Sequence, residues 1–104
     1  MKKIHIAEEF SRYPAGRYIK DGPFSGELFR KKFLEPNLKT QETIAIDLDG
    51  TRGYGSSFLE EAFGGLVRQG HSKEDLKKRL KINTENQSLI TEIFDFIENA
   101  DAQS

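Results

Sequence analysis

The stretch from Thr43 to Val67 constrains the fold more than any other part of the chain. Thr43-Ile44-Ala45-Ile46-Asp47-Leu48 is a nearly continuous apolar run, the pattern of a central strand covered on both faces. Asp49-Gly50-Thr51-Arg52-Gly53-Tyr54-Gly55 follows as a glycine-punctuated loop. Phe58, Leu59, Ala62, Phe63, Leu66 and Val67 then recur one, three or four apart, which is the stripe of an amphipathic helix stopping at Gly70. Ser57 and Glu60 have the Ser-x-x-Glu spacing of a capping box at its start. Paired Gly64 and Gly65 inside this helix cost about 1 kcal/mol each relative to Ala, so another backbone is expected to approach them closely, from the chain's own sheet or from a partner.

The flanking segments read as more of the same alternation. Lys3 to Ala7 is a short strand with Ile4 and Ile6 on one face. Turn signals at Pro14-Ala15-Gly16 and Asp21-Gly22-Pro23 bracket a second short strand around Tyr18 and Ile19. A helix begins at Ser25, with Phe24 placed to pack on Phe29 and Glu27 in the favourable first turn. Its inner stripe is Leu28, Phe29, Phe33 and Leu34, and Pro36 ends it. Ser72 with Asp75 caps a short helix through about Arg79, Leu80-Lys81-Ile82 is an edge strand, and Thr84 with Gln87 caps a last helix. That last helix carries Leu89, Ile90, Ile93, Phe94 and Ile97. Alternating strands and helices imply an α/β fold: a mixed, mostly parallel sheet of about four strands with three to four helices. One domain over residues 1–100 is expected, with a frayed tail at 101–104.

Composition narrows the function classes. Only 36% of the 104 residues are hydrophobic and 32% are charged, so the eight Phe must supply much of the core. A net charge of −1 argues against a generic nucleic-acid or polybasic membrane binder. The absence of Cys removes disulfides and thiol catalysis, and two His without ligand spacing argue against a zinc enzyme. No apolar run reaches the roughly 20 residues of a membrane span. The expected protein is cytoplasmic, without cofactor, membrane or nucleic-acid partner. Charge is sorted along it: residues 1–43 carry nine basic and six acidic groups, residues 44–104 seven and eleven.

Ile46-Asp47-Leu48-Asp49-Gly50, followed by Gly55-Ser56-Ser57-Phe58-Leu59 opening an apolar helix, resembles the STAS domain of sulphate transporters and anti-sigma factor antagonists. The closer similarity is to the STAS-like family of unknown function. It runs over nearly the whole chain, through Ser25-Gly26-Glu27 with Phe29-Arg30, Asp47-Leu48-Asp49-Gly50 and Ser56-Ser57-Phe58-Leu59-Glu60-Glu61-Ala62-Phe63-Gly64-Gly65-Leu66. The resemblance implies a non-enzymatic, protein-binding switch. Its partner would be a GHKL-type ATPase or kinase that phosphorylates a helix-opening Ser and thereby abolishes its own binding. By position Ser57 matches the phosphoacceptor and Ser56 the residue before it. Gly55 stands where the classical domains have Asp, and Phe58 where they have Gly, which points to a different local helix start.

Three sets of residues are candidates for chemistry. Ser56 and Ser57 sit where a phosphate would meet unpaired backbone N–H groups and the positive end of the helix dipole, although Glu60 and Glu61 one turn on would repel it. Ser57 serves as well as a plain N-cap. Around them, Asp49, Tyr54, Phe58, Glu60, Glu61, Gly64 and Arg68 form the candidate partner-binding face. Arg12, Arg17 and Arg30, with the helix start at Ser25 and Gly26, form a candidate anion site, giving the alternative of a nucleotide or phosphometabolite sensor across Arg12–Arg30. The competing reading pairs Arg12 and Arg17 with Asp21, Glu27 or Asp49 to pin an irregular loop. Asp47 and Asp49 share a strand face, but no nucleophile–base pair accompanies them; His5 and His71 read as surface or rim residues.

Overall fold

The computed structural model describes residues 1–101. The expected frayed tail, apart from Asp101, lies outside the described residues. Among these, three strands form one parallel sheet in the order β1-β2-β3: β1 Lys2–His5, β2 Ile44–Asp47 and β3 Leu80–Asn83. The register sets Ile4, Ile46 and Ile82 side by side, and His5, Asp47 and Asn83 in the next row. Five helices accompany the sheet: α1 Ile6–Glu9, α2 over 26–38, α3 over 56–68, α4 Lys73–Arg79 and α5 Gln87–Asn99. The α/β class stands, with one strand fewer and one helix more than the alternation implied.

The missing strand is the one expected around Tyr18. Tyr18 and Ile19 are exposed, and Ile19–Asp21 is a single tight turn held by the Asp21 carboxylate on the Tyr18 N–H at 2.8 Å. The additional helix is α1. It starts where β1 was expected to continue, because the Glu9 carboxylate takes the His5 N–H at 2.7 Å and closes a helical turn there.

The sheet is covered on one face only, against the expectation from β2. Right-handed crossovers taken in a monotonic 1-2-3 order bring both connections to the same side. Ile4, Ile44, Ile46, Leu80 and Ile82 therefore meet the helices, while Lys3, His5, Ala45, Asp47, Lys81 and Asn83 line an open depression of about 400 Å³. On the open face β2 contributes Ala45, which is 7% exposed, and the partly buried Asp47, so the run reads as more continuously apolar than its coverage by helices is.

The core is a single cluster led by Phe29, Phe58 and Phe63 with the strand isoleucines, Leu59 and Leu66. Burying each such side chain contributes about 1.5–3 kcal/mol. Phe10 gathers the aromatics, with Phe24, Phe29 and Phe33 at centroid distances of 5.6, 5.3 and 5.7 Å. Phe24 thus packs edge-on against Phe10, where Phe29 was the expected mate.

Two of the three long helices contain one wide π turn, Arg30–Leu34 in α2 and Glu60–Gly64 in α3. Pro36 does not end α2, which continues to Leu38. Proline has no N–H for the carbonyl four residues back, and the wide turn immediately before it accommodates that break. The starts of α2 and α4 are capped as expected, Ser25 Oγ accepting from the Leu28 N–H at 3.1 Å and Ser72 Oγ from the Asp75 N–H at 3.0 Å. At α5 the cap is Asn86, not Thr84: Asn86 accepts from the Ser88 N–H at 3.1 Å, and the Thr84 hydroxyl is spent on Asp49. Among the described residues no helix is long and apolar enough to cross a membrane.

Candidate functional site

The loop leaving β2 delivers the chain to α3, and its geometry is set by backbone-directed hydrogen bonds. The Asp47 carboxylate accepts the Asp49 N–H at 2.9 Å, which turns the chain at the strand end. The Asp49 carboxylate accepts from the Thr84 hydroxyl at 2.7 Å and from the Glu85 N–H at 3.2 Å, tying this loop to the one before α5. Asp49 lies beyond the end of β2, so it does not share a strand face with Asp47. Tyr54 donates its hydroxyl to the Leu48 carbonyl at 2.6 Å, and burial pushes that phenol up to about 12.

The capping box expected at Ser57 is not formed. Gly55 occupies the cap position, Ser56 is the first helical residue, and no side chain caps this end. Glu60, which the box would send back toward the helix start, points instead to Arg17 and Arg68. Ser56 and Ser57 are both exposed. The first backbone bond of the helix is Leu59 N–H to Gly55 carbonyl. Among the described residues, the N–H groups of Ser56, Ser57 and Phe58 have no protein acceptor.

The start of α2 is the opposite case. Its Gly26 N–H donates to the Gly16 carbonyl at 3.0 Å, Glu27 N–H to the Arg17 carbonyl at 2.9 Å, and Leu28 N–H to Ser25. Gly26 is buried against the α3 backbone. The donors that an anion would need at this helix start are therefore already taken.

Arg17 and Arg30, counted in the candidate anion site, are brought together with carboxylates. Arg30 is 3% exposed and its guanidinium bridges Glu35 and Glu61, the latter at 3.1 Å. Arg17 meets Glu60 and, at 3.5 Å, Glu61. Arg68 grips Glu60 with both terminal nitrogens at 2.7 and 2.9 Å and reaches Glu61 at 3.2 Å. Three Arg thus face three Glu across α2 and α3. Arg68, then Arg17, hold the Glu60 carboxyl below its usual range, and Glu60 in turn raises both guanidinium groups. Gly64 and Gly65 make room for this cluster: a Cβ at Gly65 would stand 2.7 Å from Arg30 Nε, and one at Gly64 would stand 3.4 Å from the Phe96 carbonyl of α5. The expected approach of a backbone from the sheet or a partner is not what fills this space: at Gly65 it is the Arg30 and Glu61 side chains, and at Gly64 the Glu60 side chain with the Phe96 carbonyl of α5 behind it.

The candidate partner face divides accordingly. Phe58 and Gly64 lie in the interior, and Glu61 is 6% exposed. Asp49 is exposed, and Tyr54, Glu60 and Arg68 are half-buried. Arg12 is also exposed, and its carbonyl accepts the Arg52 N–H at 2.9 Å, so it braces the loop through its backbone. Two groups escaped the sequence reading. Glu35, beside Pro36, closes the ion cluster, and His5 touches the loop at Asp49 across 44 positions of chain. The signal for the second was Glu8 and Glu9 three and four residues after His5, the spacing of the helical turn that orients it.

A family model described as a STAS-like domain of unknown function matches residues 25–89. The match begins at the cap of α2 and takes in the loop, α3, β3 and the start of α5. No curated protein and no solved structure matches the chain.

Proposed function

The chain belongs to the STAS-like domain family of unknown function, and on that premise we propose that it is a non-enzymatic protein-binding domain switched by phosphorylation at Ser57 or Ser56. The observation that carries this reading is the contrast between the starts of α2 and α3. At α2 the first N–H groups are consumed by the chain, whereas at α3 three are free beside two exposed hydroxyls that cap nothing. A phosphate there adds about −1.5 to −2 charge at a ready anion-binding helix end. The repulsion expected from Glu60 and Glu61 is offset, because both carboxylates are paired with Arg17, Arg30 and Arg68. Phe58 has its side chain wholly in the core, so its bulk leaves the two serines facing outward.

The partner proposed is a cytoplasmic GHKL-type ATPase or kinase that docks around Asp49, Tyr54 and the Ser pair, with Glu60 and Arg68 at the margin. Affinity capture from the native host, with mass spectrometry of phosphosites, tests this directly. Wild type and Ser57→Ala should capture the ATPase, and Ser57→Asp should not. Equal capture by all three, with Ser56→Asp behaving likewise, overturns the switch. The nucleotide or phosphometabolite alternative requires a ligand to displace Glu60 or Glu61 from the arginines. Melting-temperature shifts across a nucleotide panel, lost in Arg17→Ala, would favour it.

A further inference from the structure

His5 stands at the end of β1 with hydrogen-bond acceptors at both ring nitrogens. Nδ1 meets the Glu8 carboxylate, and Nε2 lies 3.1 Å from the Asp49 carbonyl oxygen and 3.9 Å from the Asp47 carboxylate. A neutral imidazole carries one N–H and one lone pair, so it satisfies only one of these contacts; the imidazolium satisfies both. Every charged group facing the ring at close range is acidic: Glu8 from α1, Asp47 from β2, with Glu9 on the His5 backbone N–H and the Asp49 carboxylate turned away to Thr84. β3 presents the neutral Asn83 in this row, and two basic groups, Lys3 of β1 and Lys81 of β3, lie two residues back on the same face. The loop touches the same place through Gly50, whose φ is 97° and where a Cβ would stand 3.1 Å from Ala7.

We propose that His5 is a proton-operated latch that, when charged, clips the Asp49 carbonyl and holds the 49–55 loop leading to Ser56 and Ser57. This rests on the reading of those serines as the regulated site. Loss of the proton leaves one N–H for two acceptors; the charged Glu8 carboxylate holds it more strongly than the neutral Asp49 carbonyl, so a ring lone pair faces that carbonyl, the loop loosens at its first residue, and the serines are presented differently on the two sides of the transition. The Glu8 contact, then the Asp49 carbonyl, raise the His5 pKa above 6.5, which moves the transition toward neutral pH.

Imidazole and amide NMR shifts, followed through a pH titration of wild type, His5→Gln and Glu8→Gln, test the latch without any phosphorylation. In wild type the Gly50 and Thr51 amides should titrate with the His5 midpoint, above 6.5. Glu8→Gln should lower both midpoints together, since it removes the first of the causes that raise the His5 pKa. His5→Gln should abolish the loop titration and leave the β2 amides in place. Loop amides that ignore the His5 midpoint, or that titrate unchanged in His5→Gln, overturn the latch. Since no readout depends on a modified serine, failure of the latch and failure of the phosphoswitch are separate results.

Discussion

Gly26 of α2 lies directly on the Phe58 carbonyl of α3. A Cβ at position 26 would overlap that oxygen and stand 3.1 Å from the carbonyl carbon and 3.2 Å from the Ala62 nitrogen. All three atoms are backbone, so nothing can rotate away. Gly26→Ala gains helix propensity, worth about 1 kcal/mol, but must push two helices apart. Overpacking of this kind costs about 1–3 kcal/mol, occasionally more, and a net loss near 2 kcal/mol is expected. Gly22→Ala is the control, since nothing lies within 4 Å of its added Cβ and its backbone is extended. Urea denaturation of both variants reads the difference, and equal stability would show that the helices part without cost.

The ion pair between Arg30 and Glu61 joins the same two helices, buried on both sides. Removing one partner leaves a charge inside the protein, which typically costs about 3–5 kcal/mol. Arg30→Met should approach that range. It strands Glu35 and Glu61, although Arg68 at 3.2 Å and Arg17 at 3.5 Å still face Glu61 and soften the loss. Arg30→Met combined with Glu61→Met should cost less than the two single changes added, because the double variant leaves neither charge alone. A double-mutant cycle by denaturation measures the coupling, and strict additivity would mean the pair contributes nothing specific.

These two relationships mark where the sequence stops being informative. The apolar stripes of α3 and α5 and the caps at Ser25 and Ser72 depend on residues within a turn of each other, and they were legible. Pro36 and Ser57 were misread because both are local signals that distant contacts override. A π turn absorbs the proline, and Arg17 with Arg68 draws Glu60 off the box that would have enlisted Ser57. The strand expected at Tyr18 failed because a strand needs a neighbour, and the Asp21 turn leaves none. Reading β2 as covered on both faces failed for the same reason. Strand order decides coverage, and strand order is not a property of any single segment. The sequence placed Ser56 and Ser57 at a helix start, where the structure has them, but their freedom from capping was visible only once Glu60 had a partner.

Acid should weaken the fold partly through Glu60. Its folded-state pKa is lowered by Arg68, then Arg17, so the unfolded chain binds this proton at higher pH than the folded one does. The stability it contributes is therefore present above its ordinary value of 4.5 and is lost as pH falls through the lowered folded pKa. Arg68→Gln removes the first of these causes and should flatten the stability profile over that acid window, while lowering stability at neutral pH. Denaturant midpoints collected from neutral pH down to about 3 test this. A profile in Arg68→Gln parallel to wild type would show that Glu60 does not carry the acid sensitivity.

Ser25 and Ser57 should respond unequally to the same substitution. Ser25 is fully buried and its hydroxyl caps α2, so Ser25→Ala removes a helix cap and orphans the Leu28 N–H, a loss of about 1 kcal/mol and up to 2 in a buried setting. Ser57 is exposed and makes no cap bond at α3. Ser57→Ala should therefore change stability by less than about 0.5 kcal/mol, in line with exposed substitutions that touch nothing. Ser57→Asp sets an acidic group in the first turn of α3 and should be neutral or stabilising by about 0.3–1 kcal/mol at low ionic strength. The set separates switch from scaffold: a phosphomimetic that leaves the fold intact can lower partner capture only through the binding surface. A loss of 1 kcal/mol or more in Ser57→Ala by urea denaturation would return Ser57 to the capping role, and the free hydroxyl on which the phosphoswitch rests would be gone.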